Sequence, residues 1–304
     1  MEQTFTLHAN PPFRLDLTAW ALRRRAKNLI DQWDGQSYSR VIAIGDQPVR
    51  LQISQSTSSH TPGVLVTAKS DSPLPKNDCL TSLIDKMLGL SLELHPFYVL
   101  AARDEVLLPL ARKFTGLKPP RFPSIFEALV NAVACQQVSL DSGIALLNRL
   151  AETYGLAFTG EDTTQFTFPR PSDIKSASPE DLRDLGMSRQ KATALLGLAD
   201  LFDTSPDLED LDHAPSGEVY DRLLTIKGIG RWSAQYALLR GLGRLDYFPG
   251  DDIGGQNNLQ TLLRLNSRPA YDEVEKLLSR WHPYEGFIYL HLLISKLSDR
   301  KILL

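Results

Sequence analysis

The stretch Leu223-Leu224-Thr225-Ile226-Lys227-Gly228-Ile229-Gly230-Arg231-Trp232-Ser233-Ala234-Gln235-Tyr236 decides the reading of this chain. A helix ends, a tight Gly-Ile-Gly turn follows, and a second helix starts: a helix-hairpin-helix. Two glycines allow backbone conformations that a Cβ forbids, and a close approach to another backbone. Ile229 between them is placed to point into the core and anchor the turn. The second helix then offers free N–H groups and the positive end of its dipole, which suits a phosphate. A bare Gly-x-Gly also fits an ordinary helical hairpin. The charge around it favours the phosphate. From Arg222 to Arg244 there are five cations (Arg222, Lys227, Arg231, Arg240, Arg244) and no Asp or Glu, in a chain whose net charge is −3. A phosphate backbone responds to a patch within a Debye length of about 10 Å rather than to the whole-chain sum.

Downstream comes Asp246-Tyr247-Phe248-Pro249-Gly250-Asp251-Asp252-Ile253-Gly254. Two adjacent carboxylates follow a Pro-Gly turn and open a helix. Read locally, they fit solvent-exposed acids that cap a helix N-terminus. An acid beside a phosphate-binding element repels DNA, however, so it suits a pure binder poorly. It suits chemistry at a sugar. Breaking an N-glycosidic bond develops positive charge on the deoxyribose, and a carboxylate stabilises that centre and orients or deprotonates water.

Outward from this region the chain divides. Residues 1–96 read as a small α+β unit. Strands are expected at Tyr38–Gly45, Val49–Ile53 and Gly63–Ala68, with the alternation of Val49-Arg50-Leu51-Gln52-Ile53 implying a sheet with one wet face. A polar turn is expected over 54–62. Leu17–Trp33 reads as a helix covering the sheet, and Asp78–Leu90 as another with Asp78 as N-cap. Residues 97–304 read as all-helical. Helices are expected to begin near Glu105, Ser124, Ser139, Ser178, Ser188, Ser216, Arg231, Asp252, Asp272 and Tyr284. Capping-box spacing appears at Ser124 with Glu127 and at Ser178 with Asp181. Phe158–Pro171 reads as a loop.

Composition excludes several classes. The chain has 304 residues, of which 42% are hydrophobic, enough for a sizeable core. No apolar run reaches the roughly 18 residues of a membrane span, and the N-terminus lacks the basic and apolar regions of a secretory signal, so a cytoplasmic protein is expected. The two cysteines, Cys79 and Cys135, cannot supply a four-thiolate cluster, and the six histidines show no i, i+4 pair. No cofactor is expected to be required.

Taken together, the Gly228–Gly230 hairpin, its basic second helix and the Pro-Gly-Asp-Asp turn resemble the helix-hairpin-helix/Gly-Pro-Asp (GPD) superfamily of DNA glycosylases, and within it the bacterial 3-methyladenine DNA glycosylase II (AlkA) type. The resemblance covers nearly the whole chain. Phe126-Glu127-Ala128-Leu129 through Gln136-Gln137-Val138-Ser139 resembles the family's helix and DNA-wedge turn. Leu185-Gly186-Met187-Ser188-Arg189-Gln190-Lys191-Ala192 and Trp281-His282-Pro283-Tyr284 resemble later signatures. The resemblance implies a TATA-binding-protein-like N-terminal domain and a helical glycosylase region. Its cleft would lie between 122–244 and the helices of 97–121 and 245–304.

It further implies Asp252 as the catalytic carboxylate with Asp251 as neighbour, and Trp232 and Tyr236 in the base pocket. Gln137, with Gln136, is implied as the wedge, and Lys227, Gly228, Ile229, Gly230 and Arg231 as the phosphate grip. The carbonyls of Leu224, Ile226 and Ile229 fall where the family hairpin can hold a monovalent cation. The implied partner is damaged double-stranded DNA, acted on by a monomer. The implied reaction is release of alkylated purines of the 3-methyladenine and 7-methylguanine type in base excision repair. An oxidised-base (8-oxoguanine-like) glycosylase and a non-catalytic damage binder are the other readings. Two positions depart from the pattern. Trp232 stands where bifunctional relatives carry lysine, so no Schiff base and no lyase activity is expected. In the last helix Leu293 replaces a pocket tryptophan, and Glu285-Gly286 replaces a basic-and-small pair.

Overall fold

Along β4 (Gln47–Gln55) the side chains of Val49, Leu51 and Ile53 are fully buried, while Arg50, Gln52 and Ser54 face outward. That period of two builds a five-stranded antiparallel sheet in the order β1-β5-β4-β3-β2, with β1 at Glu2–His8, β2 at Gln32–Trp33, β3 at Ser37–Ile44 and β5 at Gly63–Lys69. The computed structural model describes residues 1–56, 61–160 and 163–300. The turn expected over 54–62 lies outside the described residues at 57–60. Helices α1 (Leu15–Arg23) and α2 (Asn77–Leu88) cover one face of the sheet. Leu15, Leu22, Ile84 and Met87 pack there on Leu51, Ile53 and Val66.

Two expectations change here. The first helix stops at Arg23 instead of continuing to Trp33. Asn28 Oδ1 accepts the amides of Ile30 (2.8 Å) and Asp31 (3.1 Å), a local turn that competes with helix. Asp78 is not the N-cap of α2. It lies in the first turn, and Lys76 caps the helix without a side-chain hydrogen bond.

Helices α3 (His95–Ala101), α4 (Leu107–Lys113), α5 (Ile125–Cys135) and α6 (Leu140–Tyr154) follow. The expected loop at 158–171 instead carries a small hairpin, β6 (Ala157–Thr159) with β7 (Thr164–Phe166), which lies against β3 and β4. The chain goes on through α7 (Pro171–Ile174), α8 (Pro179–Asp184), α9 (Arg189–Thr204), α10 (Ser216–Leu224), α11 (Arg231–Leu242), α12 (Ile253–Leu263), α13 (Tyr271–Leu278) and α14 (Glu285–Asp299). Ser139, Ser178 and Ser188 each cap their helix through the side chain. The box at Ser178 is complete. At Ser124 only half of it forms, because the Glu127 carboxylate turns away to meet Arg40 at 2.5 Å.

The helices pack around two hydrophobic clusters. One joins α5, α6, α9, α10 and α11 through residues such as Phe126, Leu147, Leu198 and Leu238. The other joins α3, α4, α12, α13 and α14 through Phe97, Leu110, Leu259 and Phe287, and takes Leu17 and Trp20 from the underside of α1. Arg40 on β3 bridges sheet and helices. Its guanidinium lies between Asp31 (2.9 Å) and Glu127 of α5, with all three side chains buried. No helix among the described residues is long and apolar enough to cross a membrane.

Candidate active site

The two helical clusters leave a cavity of about 1000 Å³ between them, lined from α11, α12, α14, the α5–α6 turn and the segment after α1. That is at the upper end of the ~300–1,000 Å³ of small-molecule pockets. Its polar centre is Asp252. The carboxylate caps α12, accepting the Gly255 amide on Oδ2 at 2.6 Å. The Tyr289 hydroxyl of α14 donates to the same oxygen at 3.2 Å. Among the described residues, Oδ1 has no hydrogen-bond partner. Burial raises the Asp252 pKa above the ordinary carboxylate value. The Gly255 amide, the Tyr289 hydroxyl and the Trp232 indole pull it back. The indole Nε1–H makes no hydrogen bond of good geometry, yet it lies near enough to favour the charged carboxylate.

Space fixes this arrangement. A Cβ on Gly255 would stand 3.0 Å from the Tyr289 ring, 3.1 Å from Asp252 Oδ2 and 3.2 Å from Phe248. Behind the turn, Gln235 Oε1 accepts the Gly250 amide (3.1 Å) and Gln256 Nε2 donates to the Gly250 carbonyl (2.8 Å). The loop that presents Asp252 is therefore held on both sides.

Trp232 and Tyr236 stand one turn apart on α11, as their spacing requires, and their rings stack on each other at 5.4 Å and 23°. They form one layered aromatic wall of the cavity. Tyr236 is buried, and its hydroxyl accepts from Arg24 at 3.0 Å. Leu293 lines the cavity on α14, one turn beyond Tyr289. Gly286 leaves no room for a side chain: a Cβ would stand 2.5 Å from the Tyr247 carbonyl oxygen.

In the hairpin, Gly228 adopts φ +89°, and a Cβ there would meet the Ala194 Cβ at 2.8 Å. Ile229 is buried in the core. Gly230 differs from the expectation that both glycines serve the turn. Its backbone is extended (φ −102°, ψ −177°), and a Cβ would meet nothing within 4 Å. What its hydrogen leaves open is the approach to the first amides of α11. Lys227 and Arg231 flank that approach and are exposed. Arg231 lies over the Tyr271 ring and pairs with Asp251 at 3.2 Å.

The other cations of the +5 run point elsewhere, which corrects the reading of that run as one patch. Arg222 pairs with Asp207, Arg240 is buried and donates to the Ala21 carbonyl, and Arg244 donates to the Asp212 and Ala214 carbonyls. Across the cavity mouth, Gln136 Nε2 is committed to the Gly228 carbonyl (3.0 Å) and Ser233 Oγ (2.9 Å). Gln137 is exposed at φ +54°, with no side-chain partner among the described residues.

Two residues of the site went unread in the sequence, Tyr289 and Arg24. Tyr289 sits four residues before Leu293, and that spacing was the available signal. Arg24 falls within the stretch expected to be helical to Trp33, just past the observed end of α1 at Arg23.

The chain is similar in sequence and fold to known proteins. Residues 130–283, just over half the chain, match the family described as HhH-GPD superfamily base excision DNA repair protein. The chain is 28% identical over 285 residues to a DNA-3-methyladenine glycosylase of Bacillus subtilis, spanning 92% of this chain and 93% of that protein. It is 29% identical over 297 residues to DNA-3-methyladenine glycosylase 2 of Escherichia coli, spanning 95% and 96%. In fold it is similar to the solved 3-methyladenine DNA-glycosylase from Archaeoglobus fulgidus, with a TM-score of 0.83 at 22% identity over 98% of each chain. The chain belongs to the HhH-GPD superfamily of base excision DNA repair proteins, among its DNA glycosylases.

Proposed function

We propose that this chain is a monofunctional DNA glycosylase that removes alkylated purines, of the 3-methyladenine and 7-methylguanine type, from duplex DNA. The observation that carries the reading is Asp252: a half-buried carboxylate held on one oxygen, with a stacked aromatic wall in the same cavity and the Gly228–Gly230 hairpin tied to that cavity's lining through Gln136. The hairpin amides and Lys227 hold the backbone next to the lesion. Gln137, free on its turn, fills the stack, while Gln136 ties the wedge turn to the hairpin. The damaged nucleotide rotates into the cavity, against Trp232 and Tyr236.

An N3- or N7-alkylated purine is cationic and stacks well on electron-rich rings. The C1′–N bond breaks with its electron pair leaving on the base, which becomes neutral and needs no proton. Positive charge then develops at C1′, where the Asp252 carboxylate stabilises it. Water adds at C1′ and gives up a proton to Asp252 or to solvent, leaving an abasic site. With Trp232 where a lysine would be needed, no Schiff base forms and the strand stays intact. The hairpin also fits a monovalent cation. Ile226 O accepts the Ile229 amide, while the carbonyls of Leu224 and Ile229 accept no backbone hydrogen bond among the described residues.

The test is product analysis on duplexes carrying single alkylated purines, with 8-oxoguanine duplexes in parallel. Free alkylated base is expected, with strand breaks only after hot alkali. Breaks without alkali, or release of 8-oxoguanine in place of alkylated purines, contradict the reading.

A further inference from the structure

Tyr289 comes from a different element than any other group that fixes Asp252, and its contact is specific. Its hydroxyl reaches Oδ2, the oxygen already taken by the Gly255 amide, and among the described residues Oδ1 has no hydrogen-bond partner. Its ring is locked. It packs edge-on to Phe248 at 5.3 Å and 85°, and it occupies the space a side chain at 255 would need. A side chain of α14 thus holds the carboxylate that caps α12.

We propose that Tyr289 is a positioning residue for the reaction. By donating to Oδ2 it fixes the rotamer of Asp252, favours the carboxylate over the acid, and reserves Oδ1 for the sugar. The inference rests on the assignment of Asp252 made above.

The chemistry of the surroundings supports a donor at this place. Burial, and then the nearby Asp252 charge, push the Tyr289 phenol well above its ordinary value, so it stays protonated and donates across the working range. Other titratable groups face the pair from the neighbouring elements. Tyr236 and Arg240 of α11 act on Tyr289, Tyr289 in turn acts on Arg24 after α1, and the Asp252 charge reaches Cys135 at the end of α5, raising its thiol. Among the described residues, neither Arg24 nor Arg240 makes an ion pair with Asp252. Arg24 donates to Tyr236 and Asn131, and Arg240 to the Ala21 carbonyl. The neutral donors, the Gly255 amide, the Tyr289 hydroxyl and the Trp232 indole, therefore oppose the burial that disfavours the charged carboxylate.

The experiment is single-turnover base release from a duplex with one alkylated purine, followed across the acid and neutral range. It compares the wild type, Tyr289→Phe, Asp252→Asn and the double variant, each read against an enzyme-free blank. Tyr289→Phe keeps the ring and its packing, so its melting temperature and its affinity for abasic-site DNA are expected to match the wild type. Its acid limb is expected to move up by about one pH unit, with the plateau rate down by about 3- to 30-fold. The double variant is expected to be no slower than Asp252→Asn alone. A limb that coincides with the wild type, or a rate lowered by the same factor at every pH, overturns the role of Tyr289 and leaves that of Asp252 standing. Full activity in Asp252→Asn overturns both.

Discussion

At position 252 one carboxylate serves two functions. It caps α12, which any Asp or Asn does well, and it lines a cavity where burial opposes its charge. The sign of the stability effect follows. Its pKa in the folded protein lies above its unfolded value, so its contribution is most favourable below the unfolded pKa. That contribution is lost as pH rises through the folded pKa. Asp252→Asn keeps the cap and removes the buried charge. We expect it to melt about 1–3 °C above the wild type at neutral pH, with the gap closing at acid pH. Thermal melts at two pH values check this, and a variant that melts lower at neutral pH contradicts the desolvated-carboxylate account. Residue-scale chemistry was partly legible. Asp252, Trp232 and Tyr236 are neighbours along the chain of one hairpin and turn, so their spacing carried them into one site. Tyr289 was not legible in this way, because α14 meets α12 only through tertiary packing.

The hairpin shows how an element can mislead a linear reading. Two glycines in one turn read as equivalent, but only Gly228 takes a left-handed conformation, against Ala194 of α9. Gly228→Ala is expected to cost about 1–3 kcal/mol of stability, from strained φ and the contact at 2.8 Å. Gly230→Ala is expected to leave the melting temperature within about 2 °C of the wild type, because a Cβ there meets nothing within 4 Å, and to weaken DNA binding by crowding a phosphate that approaches the turn. Melting curves and DNA titrations at fixed salt separate the two, and the reverse pattern overturns the division of roles. The +5 run misleads for a related reason. A helix of 3.6 residues per turn sends consecutive cations in different directions. Arg240 therefore ends inside the protein, while Lys227 and Arg231 stay at the hairpin. Helix starts were legible where serine caps them. The β6–β7 hairpin was not, since three-residue strands carry too short an alternation to be distinguished from a polar loop.

At the scale of the molecule, the cleft exists because two hydrophobic clusters form side by side instead of merging. The sheet unit is tied to both, through the α1 underside on one and the Asp31–Arg40–Glu127 bridge on the other. Arg24, at the end of α1, thereby reaches Tyr236 in the aromatic wall of the cavity. None of this cross-domain wiring leaves a local pattern in the sequence, whereas the order of sheet and then helices was plain from the change of period near residue 96. In the proposed function, the cleft takes up an extruded nucleotide and presents its sugar to Asp252. The most direct test is single-turnover release of an alkylated purine by the wild type and by Asp252→Asn, with binding to abasic-site DNA measured on the same samples. The account predicts equal or tighter binding by the variant, and a rate lower by a factor on the order of 10²–10³ or more. An Asp252→Asn enzyme that binds as the wild type does and releases base at the wild-type rate would contradict it.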